Sequence, residues 1–198
     1  MKIPPKLAPV EAVIVPIWRG KNKAQVRKEA EALYAELKGG AGLRMEVDLD
    51  EEHSPGWKFN EHELRGVPVR VELGPKDIEK GQAVLVRRDT GEKEFVARKG
   101  LPERLRVLLV EIQENMLLQA TEFRDANTRR AETYEEFKEI IEEKRGFVLA
   151  PWDGTEETEQ KIKEETKATI RLLPFEREEG KDLVSGKQGR TAVFARAY

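Results

Sequence analysis

Between Ser54 and Asp77 the chain reads SPGWKFNEHELRGVPVRVELGPKD, with two rings, several carboxylates and several cations between a Pro-Gly and a Gly-Pro turn. Rings stack on a flat base, carboxylates accept hydrogen bonds from its edge, and arginine or lysine donate to it. That is the chemistry by which proteins read single-stranded RNA. Taken singly, the same residues have plainer uses. Phe59 on a short helix is ordinarily core, Glu63 and Arg70 an ordinary surface ion pair worth little, Lys76 and Asp77 turn residues, and Trp57 packing for the turn. Lys58, Arg65, Arg87 and Arg88 are candidate phosphate contacts of a kind more often simply solvated. His53 and His62 have no metal or nucleophile constellation around them and are given no chemistry.

The elements that would position these groups can be read from periodicity. Met1 to Pro9 is broken by prolines and leaves no room for regular structure, so it reads as a linker. Glu11 to Trp18 (EAVIVPIW) is a nearly continuous apolar run, as in a central parallel strand buried on both faces, and Pro16 marks its end. Val26, Ala30, Leu33, Tyr34 and Leu37 recur at helical spacing from Asn22 to Lys38, with Gly39-Gly40 as the stop. Leu43 to Leu49 alternates as a half-buried strand. Phe59 to Arg65 reads as a short helix ended by Gly66, and Val67, Val69, Val71 and Leu73 as a strand with Arg70 and Glu72 on the other face. Gln82 to Arg88 and Lys93 to Arg98 form a hairpin. This order predicts an α/β layer with a mixed sheet.

Pro102 opens a long helix to about Arg124, with Leu105, Leu108, Leu109, Ile112, Met116, Ala120 and Phe123 on one face; its length suits a connector. Beyond it, Thr133 and Glu136 form a capping box, Phe147 to Trp152 a short strand, and Thr155 a helix cap. Ile170 to Phe175 and Thr191 to Ala197 close a small α+β domain. Phe147, Leu149, Ile162, Ile170, Leu172, Phe175, Val193 and Phe194 are its expected core. The resulting division is a linker over 1–9, a domain over 10–100, a connecting helix over 101–129 and a second domain over 130–198.

Composition narrows the function. The 198 residues carry 36 basic against 38 acidic side chains, a formal net charge of -2, so any nucleic-acid contact must be a local patch. There is no cysteine, which removes disulfides, thiol nucleophiles and thiolate metal sites. No apolar run approaches the ~20 residues needed to span a bilayer and no signal-peptide pattern follows Met1. No membrane association and a cytoplasmic location are expected.

The central stretch, with LAPVEAVIVPI before it and QAVLVRRDTGEK after it, resembles the anticodon-binding domain of prolyl-tRNA synthetases. The runs TYEEFKEII, KEETKATIRLLPFE and the terminal VFARAY look like the C-terminal domain of the same class II family, in its archaeal and eukaryotic style. The resemblance implies a five-stranded mixed sheet flanked by helices, followed by a small α+β C-terminal domain. It implies recognition of tRNA(Pro), with ATP and proline bound by a catalytic domain that this chain lacks, in a parent enzyme that is a homodimer. The chain alone is then expected to be inactive in ligation. No glycine-rich phosphate loop follows the first strand, where GKNKAQ stands instead.

Carried over by position, the resemblance makes Phe59 the stacking ring, Glu63 a carboxylate for the guanine Watson–Crick edge, Arg70 a donor to guanine O6 and N7, and Lys76 and Asp77 a second donor and acceptor. His62 departs from the family, which usually has tryptophan there. Tyr198 corresponds to a terminal tyrosine that docks near the catalytic centre. Many relatives hold zinc through four cysteines, and Asp153, Thr158, Asp182 and Ser185 fall at those positions. Hydroxyls are poor zinc ligands, so neither zinc nor any other cofactor is expected. Two readings compete: a stand-alone interaction module on the same fold, and a small-ligand enzyme, disfavoured by the missing phosphate loop and the lack of a nucleophile–base set.

Overall fold

Strand β1 (Ala12–Pro16) is buried along its whole length in the computed structural model, which describes residues 1–18 and 20–197. Ala12 and Ile14 point into the main core, and Val13 and Val15 into a smaller cluster on the other face. A strand walled on both sides needs an apolar residue at every position, which explains the unbroken run in the sequence.

Helix α1 (Lys23–Ala41) lays Ala30, Leu33 and Leu37 on the main core. It runs through Gly39-Gly40 and ends at Gly42, which adopts a left-handed φ of 63°. The expected stop at the glycine pair is therefore corrected: the residue that takes the left-handed turn ends the helix. Next come β2 (Met45–Val47), α2 (Pro55–Leu64), β3 (Val69–Leu73), α3 (Pro75–Glu79), β4 (Gln82–Arg87) and β5 (Lys93–Ala97). Helix α2 starts a turn earlier than expected, because the Ser54 hydroxyl accepts from Trp57 N (3.3 Å) and Pro55 suits the first turn. Gly74-Pro75 likewise begins the short helix α3 rather than a bare turn.

Among the described residues the first sheet has five strands in the order β2-β1-β3-β4-β5. β1 is parallel to β2 and β3, and the β3–β4 and β4–β5 pairs are antiparallel. The mixed α/β sheet expected from the sequence is what the chain forms. Its main core is closed by α1 and by Leu105, Leu108, Leu109 and Ile112 of α4 (Leu101–Ala126). The chain divides into two compact units between Leu118 and Gln119, inside α4. The first half of this helix is therefore a wall of the first core and not a bare connector, while Ala120 and Phe123, expected on its apolar face, are exposed.

Met1 to Pro9 also differs from expectation. Pro5–Leu7 forms a 3-10 turn, Ala8 is buried, and Arg44 donates to the carbonyls of Ala8 and Pro5 at 3.1 Å each. Ile3 packs against Gly66, whose φ of +77° and lack of a Cβ are both needed: an added Cβ would lie 2.5 Å from Ile3 Cδ1.

The second unit contains β6 (Thr128–Arg130), α5 (Tyr134–Glu139), a π-helical turn at Ile140–Lys144, β7 (Phe147–Trp152), α6 (Glu156–Thr166), β8 (Ala168–Leu172), β9 (Glu179–Lys181) and β10 (Gln188–Arg196). Strand order is β6-β7-β10-β8 with β9 also on β10. The Thr133 cap is present, its hydroxyl accepting from Glu136 N at 3.1 Å. The core is built from Phe137, Ile140, Ile141, Val148, Ala150, Ile162 and Phe194. Phe147, Leu172 and Phe175, expected in it, are exposed. Phe147 falls on the β7 face opposite Val148 and Ala150, and Phe175 lies past the end of β8. No described helix is long and apolar enough to cross a membrane.

Candidate nucleic-acid interface

Three of the five expected base-reading residues meet on the α2 face of the first sheet. Phe59 and Glu63 lie four residues apart on α2, hence on one helical face. Arg70 comes from β3, where alternation sends Val69 and Val71 to the main core and Arg70 to the other side. The Arg70 guanidinium sits 4.0 Å from the Phe59 ring centroid. Its Nη1 donates to Glu63 Oε1 at 3.1 Å and its Nε to Glu72 Oε1 at 3.1 Å. Lys93 Nζ lies 3.4 Å from both Glu72 oxygens, and Arg88 Nη2 is 4.0 Å from Glu63 Oε2. The result is a ring, a guanidinium stacked on it and two carboxylates at its edge. Phe59 also rests on Val13, Val15 and Val67, so one ring serves core and surface at once.

Lys76 and Asp77 are not in this cluster. They lie on α3, where Lys76 is exposed and Asp77 is half-buried with both oxygens engaged: Gly74 N donates to Oδ2 (3.0 Å) and Gln82 Nε2 to Oδ1 (3.3 Å). In the geometry, Asp77 caps its own helix.

The expected phosphate contacts separate sharply. Lys58 is corrected: at 1% exposure it is among the most buried side chains of the first unit. Its Nζ donates to the carbonyls of Asp48 (3.1 Å) and Asp50, pairs with Asp48 Oδ1 at 3.1 Å and lies 5.1 Å from the Trp18 ring centroid. No phosphate can reach it. Arg87 is tied to Asp89 through Nε (3.0 Å) and Nη2 (2.7 Å), and that bond holds its pKa above the usual value. Burial pushes the Asp89 carboxyl up, but hydrogen bonds from Arg87 and Asn115 outweigh it and hold the group below its ordinary range. Arg65 is surface-exposed and pairs with Glu46 at 3.0 Å. Arg88 is partly buried, with its Nε enclosed and without a partner. Tyr198, the expected docking residue, lies outside the described residues.

Sequence reasoning missed three groups. Glu72, expected only to alternate with Arg70 on the strand's other face, is the second carboxylate on Arg70. Asp48 holds Lys58 and also His62, whose Nε2 lies 2.8 Å from Asp48 Oδ2. The available signal was the four-residue spacing of Lys58 and His62, which puts both on one face of α2 beside the Phe59–Glu63 face. Trp57, expected to pack the turn, is 46% exposed and stacks on His53 with centroids 3.7 Å apart.

The four positions aligned with zinc cysteines in the second unit are bonded to one another. Asp153 Oδ1 accepts from Thr158 Oγ1 (2.7 Å), Thr155 Oγ1 (2.8 Å) and Thr155 N (3.0 Å), and Oδ2 accepts from Ser185 Oγ (2.8 Å). Buried Asp182 accepts from Asp153 N (3.0 Å), Val184 N (2.8 Å) and Ser185 N (2.7 Å). Thr155 stands at the start of α6 as expected, but its hydroxyl serves Asp153 and not the helix N–H groups. This donor set does not fit zinc: two of the four groups are hydroxyls, and the carboxylate lone pairs are already aimed at N–H and O–H donors. Among the described residues no group of three or more His, Cys, Asp or Glu side chains is arranged to hold a metal.

Two family profiles match the chain, one described as an anticodon binding domain over residues 11–108, the other as prolyl-tRNA synthetase, C-terminal, over 134–198. A proline–tRNA ligase of Rubrobacter xylanophilus is 82% identical over all 198 residues, which are 41% of that relative's length. Proline–tRNA ligases of Natranaerobius thermophilus and Chlorobium luteolum are 48% and 50% identical over 100% and 99% of this chain, and 41% and 42% of their own lengths. The chain thus spans about two fifths of the curated relatives it matches.

Proposed function

Because the chain belongs to the prolyl-tRNA synthetase family and matches its anticodon-binding and C-terminal domains, we propose that it is the part that recognises tRNA(Pro), by reading the guanines of the proline anticodon. The observation that carries this reading is the convergence of Phe59, Glu63 and Arg70 at one point of the surface, with Arg70 stacked on the ring and bonded to the acid. A guanine offers N1 and N2 donors to a carboxylate and O6 and N7 acceptors to a guanidinium. Glu63 and Arg70 supply both within reach of a ring. Lys76 and Asp77, on α3 outside this cluster, stay in the reading only as the second donor and acceptor that the family resemblance assigns, and Arg65 and Arg88 are the remaining candidates for phosphate contact. Joining proline to tRNA with ATP belongs, on this reading, to a catalytic domain elsewhere in a homodimeric cytoplasmic enzyme, against which Tyr198 docks.

Binding of proline tRNA and of a variant with its anticodon guanines replaced, measured by filter retention at low salt, tests the proposal. The unaltered chain is expected to prefer the first RNA, and Arg70→Ala to lose about 1–3 kcal/mol of that preference. Equal or absent binding of both RNAs would sink the anticodon reading and favour a stand-alone protein-interaction module.

We also assign the second unit a metal-free fold, on the ground that its four candidate ligand positions satisfy one another. Purified protein is expected to carry no stoichiometric zinc by elemental analysis, and chelation to leave its thermal unfolding unchanged. A tetrahedral metal bound one-to-one at Asp153, Thr158, Asp182 and Ser185 would overturn this.

A further inference from the structure

The sheet face that carries Arg70 continues past the cluster to an open ring. Strand register lays two rows across this face, from β1 through β3 and β4 to β5. One row is Val13, Arg70, Val86 and Lys93, and the next is Val15, Glu72, Val84 and Phe95. Their strand neighbours Val69, Val71, Leu85 and Val96 all point into the main core on the other side. Phe95 therefore shares a face with Arg70 and Glu72. With strands about 4.8 Å apart, it stands about 10 Å from Glu72, two strands away.

Phe95 is 68% exposed, and β5 ends the strand order, so no neighbouring strand walls its far side. The strand that presents it is well held. Val96 is buried in the core, and Glu94 on the core side takes Arg104 Nε at 2.9 Å to each oxygen. A ring offered from a fixed strand loses little freedom when something stacks on it. Trp57 is the other exposed ring near the cluster, but it lies two positions from Phe59, on nearly the opposite side of α2, and is already stacked on His53.

The surroundings of Phe95 decide what suits it. Its same-face neighbours along β5 are Lys93 and Ala97, and its cross-strand neighbour Val84 is buried. The open apolar surface is thus one ring wide, too small for a protein-docking patch. A lone ring with an exposed cation beside it suits an unpaired base and its phosphate, as in other sheets that stack RNA bases on surface aromatics.

We infer that Phe95 stacks a second unpaired base of the same RNA, a neighbour of the one read at Arg70, with Lys93 placed to meet a phosphate. The inference rests on the proposed reading of RNA at this face and extends it by one nucleotide. Every base has a π-face, so such a ring adds affinity without choosing sequence, which separates its role from that of Arg70.

Filter retention of two RNA hairpins tests this, one carrying the proline anticodon loop and one with its anticodon guanines replaced. Phe95→Leu keeps apolar bulk but removes the π-face; it is expected to weaken binding of both hairpins by about tenfold and to leave their ratio unchanged, while Phe95→Trp binds at least as well as the parent. Thermal unfolding of both variants is expected to match the parent, since the ring is exposed. With 2-aminopurine in the loop beside the guanines, fluorescence is expected to fall on binding the parent and to hold with Phe95→Leu. Parent-like affinity in Phe95→Leu, or the same fluorescence change in both proteins, overturns this inference alone. A changed ratio overturns it too, because the ring would then be choosing the base. Equal binding of both hairpins by the unaltered chain, with Phe95→Leu still weakening each, sinks the anticodon reading and keeps the stacking ring; failure to bind either hairpin overturns both.

Discussion

Lys58 joins a loop to a helix through one buried charge. Its ammonium reaches two carbonyls and one carboxylate of the Asp48–Asp50 loop, and the same carboxylate takes His62 one helical turn further on. Helix α2 is thereby held on its 58/62 face while its 59/63 face carries the ring and the acid. Lys58→Met is expected to destabilise the first unit by about 3–5 kcal/mol in denaturant unfolding, because it leaves the enclosed Asp48 without its cation. A change below about 1 kcal/mol would mean that solvent reaches Asp48 freely. At this scale the sequence yields what local spacing encodes. Phe59 and Glu63 are four apart on a helix, and Arg70 alternates out of a strand. Lys58 was illegible because the Asp48–Asp50 loop just ahead of α2 folds back over it, and nothing in KFNEH announces that return.

At the scale of elements, the hydrogen-bonded loops around Asp153 tie the start of α6 to the turn before β10. Burial pushes the Asp153 carboxyl up, but bonds from Thr158, Thr155 and Ser185 outweigh it and hold the pKa at about 2, below the ordinary 3.8. A depressed carboxyl stabilises the folded state fully above its unfolded pKa, and the contribution is lost as pH falls through the folded value. The second unit is therefore expected to loosen between about pH 4 and about pH 2. Fluorescence of Trp152, whose indole donates to Thr155 O at 3.2 Å, can follow this. Asp182, Arg177, Glu179 and Arg190 lie around the same loop. Asp153→Asn should flatten the acid step and lower stability at neutral pH; an unchanged acid step would assign it to other groups. The knot was half legible. Its four positions stood out by alignment, but their mutual bonding depends on loop closure that periodicity does not report. The strands β6 and β9 were missed for a related reason: each is three residues long and carries no alternation to read.

Across the whole molecule, 36 cations face 38 acids, and Arg65, Arg70 and Arg87 are each paired with an acid of their own unit. The first sheet was largely legible because its strands either alternate or run apolar without a break. The long helix α4 was legible in place and extent, whereas α1 and α2 were legible only in place, since Gly42 and Ser54 set their ends. Arg70 shows what such internal pairing means. Its guanidinium lies on the Phe59 ring and is bonded to Glu63, so the protein holds an inner substitute for the base it is proposed to read. Recognition then becomes an exchange: an incoming base must displace a bond that is satisfied and return at least as much. On the proposed reading, a base with the wrong edge would leave the pair closed, and rejection would be the resting condition of the site.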